Sequence, residues 1–141
     1  MKAEFDWLSF VLRWTLSILL VLGTYNPFGL SYYDWVVFDG GYASFKVMVG
    51  VALLILHMST ILSTARSLGP IGIALLVALY ASVAWVLVDN RLLDLEDPRM
   101  VQLTMLLILA GLYGMGLSWS HIRNQLSGQV HSIDVSNFSP V

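Results

Sequence analysis

Two charged or titratable side chains stand inside otherwise apolar stretches: Arg13 and His57. Such a group within a segment long enough to cross a bilayer is costly, and by default it marks a polar pathway or a binding site. Arg13 has Ser9 and Ser17 four residues before and after it, so the three share one helix face. On that face Arg13 would anchor an anionic lipid or line a polar path. Alternatively it lies about two turns past Trp7 and snorkels to the headgroups. His57 has Thr60 three residues on. It is either a packing histidine hydrogen-bonded between helices or the partner of Arg13 at one depth in the membrane.

Other constellations carry less chemistry. Asp89, Asp94, Glu96 and Asp97 cluster, but a calcium loop needs oxygen ligands at alternating positions and a terminal bidentate Glu. Asp97 instead precedes Pro98, a pattern that caps and opens a helix. Ser118, Ser120 and His121 lie close in sequence without the spacing of a nucleophile elbow, and adjacent helical residues point apart. No zinc-protease, phosphate-loop or dinucleotide-binding motif occurs, and there are no cysteines. The sequence therefore points to a non-enzymatic chain with no metal or cofactor.

Small residues form a clearer pattern. Ala74, Ala78 and Ser82 recur every fourth position, as do Ala110, Gly114 and Ser118. In lipid, faces of this kind let helix backbones approach closely, because packing rather than water exclusion drives association. The two stripes either pack on each other within one subunit or leave one face for an oligomer interface.

The elements that position these residues follow from composition. Of 141 residues, 57% are hydrophobic and 11% charged, against roughly 25% charged in soluble domains. A chain so poor in charge cannot cover a soluble surface. It is neither disordered nor a nucleic-acid binder, and the net charge of -2 implies no polyionic partner. Apolar runs at about residues 7–24, 45–63, 71–88 and 100–119 are each long enough to span roughly 30 Å of hydrocarbon. The reading is an all-α integral membrane bundle of four transmembrane helices over residues 1–128, the last extending toward Gly128, with a polar tail at 129–141. Arg13 and Trp14 interrupt the first run and no small-x-small site follows it, so it reads as a span rather than a cleaved leader.

The connections carry their own signals. Gly69-Pro70 ends one helix and starts the next, within a short link expected over Thr64–Pro70 that makes the two helices antiparallel neighbours. The longest connection, Tyr25–Ser44, is rich in aromatic residues and turns at Asn26-Pro27-Phe28-Gly29. It is expected to lie in the headgroup zone as a short helix or re-entrant turn. Trp7, Trp14 and Trp119 fall to one side of the membrane, and Trp35, Tyr42 and Trp85 to the other, as an aromatic belt. Basic residues divide four against three in favour of cytoplasmic termini: Lys2, Arg13, Arg66 and Arg123 inside, Lys46, Arg91 and Arg99 outside.

The segments TYNPFGLSYYDW, ARSLGPIG and GMGLSWSHIRNQLSGQV together resemble a family of small bacterial inner-membrane proteins known only as a domain of unknown function. The resemblance implies a bacterial cytoplasmic membrane and carries no activity or ligand. The function expected is a non-catalytic assembly or accessory subunit, with membrane lipids and either itself or a larger complex as partners. The alternative is a small homo-oligomeric channel or transporter with a polar path near Arg13 and His57.

Overall fold

A computed structural model describes residues 7–128. Among them the chain is all-helical: α1 (Trp7–Thr24), α2 (Tyr32–Phe38), α3 (Ala43–Asp89) and α4 (Pro98–Gly128). Three of the four, α1, α3 and α4, are long and apolar enough to cross a membrane. The expected tail at 129–141 lies outside the described residues.

The 47 residues of α3 would reach about 70 Å as a straight rod, more than twice the hydrocarbon thickness. They do not form one. Gly69 has φ 67° and ψ 174°, a non-helical conformation inside the element. Only glycine adopts that region readily, and Pro70 further disfavours a helical residue before it. Pro70 itself suits a first helical turn, where its missing N–H costs nothing. The element is therefore two arms, 43–68 and 70–89. The link expected over Thr64–Pro70 shrinks to one residue, because the helix continues unbroken to Leu68.

Contacts with α4 give the direction of each segment. Arg13 bonds Leu117 and Tyr25 bonds Gln102, so α1 runs antiparallel to α4. His57 meets Tyr113 and Ser67 meets Gly116, so the first arm runs parallel to it. Tyr80 lies against Gly111, and Val88 and Val101 line one cleft, so the second arm runs antiparallel. The chain thus reverses at Gly69, and α4 touches both α1 and α3.

Local signals set the ends. The Asp97 carboxylate accepts the Arg99 N–H at 2.9 Å, capping α4 ahead of Pro98. Asn26 closes the turn after α1: its Oδ1 accepts from Phe28 and Leu30, while its Nδ2 donates to the Leu22 and Leu30 carbonyls. Ser31 and Asp34 then form a reciprocal capping box that starts α2. The aromatic connection is held down by this helix. The Tyr32 hydroxyl donates to the Lys46 carbonyl at 2.8 Å, and its ring fills the space a side chain on Gly50 would need. Lys46 is buried beneath it, with Nζ donating to the Asp39 carbonyl and lying 5.5 Å from the Trp35 ring.

The packing is inverted relative to a water-soluble bundle. Ser17, Thr60, Thr64 and Ser118 are buried together with Val21, Ala110 and Tyr113, while Leu16, Leu19, Leu54 and Ile55 are each more than half exposed. Small and polar side chains hold the inside and large aliphatic ones coat the outside, which suits a lipid solvent.

Candidate functional site

Among the described residues, the buried hydroxyls of Ser17, Thr60, Thr64 and Ser118 fall along one seam where α1, the first arm of α3 and α4 meet. Small residues on α4 create it. A Cβ on Gly114 would stand 2.8 Å from the Trp14 ring, and one on Gly116 would overlap the Thr64 side chain. Ala110, Gly114 and Ser118, expected as a packing stripe, are all buried on this face. Ala74, Ala78 and Ser82 are instead exposed on the second arm. That arm approaches α4 through Tyr80, Ala84 and Leu87, so the two stripes do not face each other.

Arg13 is partly buried and its Nη1 donates to the Leu117 carbonyl at 3.1 Å. Ser17, one turn on, is fully buried and donates back to the Arg13 carbonyl at 2.8 Å. Three polar atoms in the same part of the seam are buried without a hydrogen-bond partner: Trp14 Nε1, Thr64 Oγ1 and Ser118 Oγ.

His57 belongs to a different layer. Its Nε2 is 3.0 Å from Thr24 Oγ1 and its Nδ1 is 3.3 Å from the Tyr113 hydroxyl. Because Thr24 gives its proton to the Leu20 carbonyl at 2.7 Å, its oxygen accepts from Nε2–H. Assigned by this count of donors, His57 is the neutral Nε2–H tautomer and Nδ1 accepts from Tyr113. Every donor in the chain Tyr113, His57, Thr24, Leu20 is used once.

The structure therefore does not bring Arg13 and His57 to one depth. Thr24, the partner of His57, lies eleven residues from Arg13 on α1, about 16 Å of helix rise. The correction has a simple cause. The first arm stays helical to Leu68, so its end is further from His57 than the hydropathy run ending at Ser63 suggests.

The acidic cluster resolves into local caps: the Asp94 carboxylate accepts from Glu96 N–H, and that of Asp97 from Arg99 N–H. Among the described residues no group of three or more His, Asp or Glu side chains could hold a metal ion. Ser120 and His121 lie outside the described side chains. The sequence reading missed Tyr113, Thr24 and Thr64. A tyrosine or threonine in an apolar run is too common to single out, and only the helix register shows that they converge.

Comparison with curated proteins and with solved structures gives no match. The family comparison does: residues 8–137 match the model of DUF6524, a family of unknown function, and the chain belongs to that family.

Proposed function

We propose that the chain is a four-span protein of the bacterial cytoplasmic membrane with both termini cytoplasmic. In this reading it is a non-catalytic assembly or accessory subunit that docks a further helix from a second copy or a larger complex. One observation carries the docking role. The α4 stripe is consumed inside the subunit, whereas Ala74, Ala78 and Ser82 remain exposed. Ser82 satisfies its own hydroxyl on the Ala78 carbonyl at 2.7 Å, leaving a smooth face with no unmet polar demand. In lipid such a face stabilises a helix pair through close backbone approach. Four spans are supported by the reversal at Gly69, which divides an element too long for one crossing.

The test is a photo-crosslinking residue at Ala78 in native membranes, read by mass spectrometry, with the same probe at exposed Leu19 as the comparison. A discrete adduct at Ala78, to this chain or to one defined partner, is the expected result. Equal, diffuse labelling at both positions would remove the docking role.

A homo-oligomeric channel or transporter is the second reading. It is favoured by the buried hydroxyls of Thr64 and Ser118, which have no partner in a seam that also holds Arg13 and His57. Ion or proton flux into proteoliposomes, lost on Ser118→Leu, would support it over the docking role.

A further inference from the structure

Two arginines line a cavity at one end of the helices, and a third, Arg13, bonds a carbonyl of its wall. Arg66 and Arg123 line a cavity of about 380 Å³ together with Ser63, Ser67, Gly116 and Leu117. The Leu117 carbonyl takes the Arg13 guanidinium at 3.1 Å, and the Gly116 carbonyl takes the Ser67 hydroxyl at 2.6 Å. The described acidic residues all belong to the connections at the opposite end: Asp34 and Asp39 around α2, and Asp89, Asp94, Glu96 and Asp97 ahead of α4. Among the described residues, Arg66 and Arg123 thus place positive charge at a concavity within the size range of ligand sites. Thr64, packed on the cavity wall at Gly116, keeps a buried hydroxyl with no hydrogen-bond partner.

We propose that this cavity binds the phosphate of an anionic phospholipid headgroup. Guanidinium groups present paired N–H donors that match phosphate oxygens, and the exposed Ser63 hydroxyl, unlike that of Ser67, is placed to add a neutral donor. A lipid is the source the surroundings favour. The cavity lies beside the Gly69 reversal, and Leu62 and Ile71 on either side of that reversal are exposed apolar residues along which acyl chains can lie. The proposal rests on the chain crossing the membrane and is independent of what docks at Ala78.

The experiment uses the full chain in nanodiscs of mixed phosphatidylglycerol and phosphatidylcholine, with retained lipid counted by native mass spectrometry. Wild type is expected to retain phosphatidylglycerol over phosphatidylcholine on the order of tenfold, as two charge-assisted contacts allow. Arg66→Gln with Arg123→Gln should abolish the preference, and Arg91→Gln with Arg99→Gln, at the other end, should keep it. Ser63→Glu, which puts a carboxylate at an exposed cavity position, should also abolish it in a variant whose elution and helical signal match wild type. Equal retention of the two lipids by wild type would overturn the proposal, as would a preference that survives both the arginine pair and Ser63→Glu. Tight binding of inorganic phosphate in detergent, lost in the arginine variant and without any lipid preference, would overturn the lipid as the source. Crosslinking at Ala78 and lipid retention at Arg66 read separate faces, so either can fail alone.

Discussion

The two sides of α4 are built differently. Toward α1 and the first arm of α3, glycine and alanine bring backbones close, and Trp14, Ser17, Val21 and Thr64 fill the gap. Toward the second arm, Tyr80 reaches across to Gly111, and below it two clefts of about 310 Å³ and about 430 Å³ remain, lined by Ala84, Leu87, Leu93, Thr104 and Ile108. The same helix thus makes one tight polar seam and one open apolar one. In lipid the tight seam gains contacts that acyl chains cannot supply, whereas the open clefts offer surfaces that acyl chains wet equally well. Small residues therefore decide where this chain holds together, and large aliphatic ones mark where it meets its solvent.

The largest effect that would break this comparison lies in the tight seam. Gly116→Leu should abolish the native packing, since even a Cβ overlaps Thr64 and overpacking costs about 1–3 kcal/mol or more. Thermal unfolding in detergent reads the loss. If Gly116→Leu melted like wild type, α4 would not be packed as described.

Gly69→Ala comes next. The φ of 67° with ψ of 174° lies in a region that costs a side-chain-bearing residue about 1–3 kcal/mol. The variant should lose stability of that order, or straighten and fail to insert, which protease protection of the loops would show.

Within the seam, two conservative changes should move in opposite directions. Tyr113→Phe removes the donor to His57 Nδ1 and should destabilise by about 1 kcal/mol. Thr64→Val replaces an unpartnered buried hydroxyl with a methyl of the same shape and should be neutral or stabilising. A matched pair of denaturation curves separates them. Loss of stability in Thr64→Val would mean that this hydroxyl has a partner in the membrane.

The smallest effect belongs to the open side. Ala84→Leu projects into clefts already bounded by Leu93 and Ile108, and should change stability by less than about 1 kcal/mol. Ala110→Leu, on the closed face of α4 toward α1, should cost several times more.

Much of the fold was legible because the markers were local. Asp97-Pro98 had to open a helix, and Gly69-Pro70 had to break one, whatever packed around them. Of the short helix or re-entrant turn expected in the aromatic connection, the helix forms, started by the Ser31–Asp34 capping box. Depth was legible less well. Hydropathy located the apolar runs but not where the first arm stops, so Arg13 and His57 looked level when about 16 Å of α1 separates Arg13 from Thr24, the α1 partner of His57.

What the sequence alone determined is the low charge, the run of apolar segments long enough to cross a membrane, and the segment plan. Charge scarcity, run length and the glycine-proline break are properties of consecutive residues, and no tertiary contact can reverse them. Which small-residue stripe turned inward was decided only in three dimensions. Ala74, Ala78, Ser82 and Ala110, Gly114, Ser118 are alike in spacing and chemistry, but only the second is buried, with the Trp14 ring filling its groove at Gly114. Packing energy depends on what stands opposite, and spacing along one helix carries no record of that.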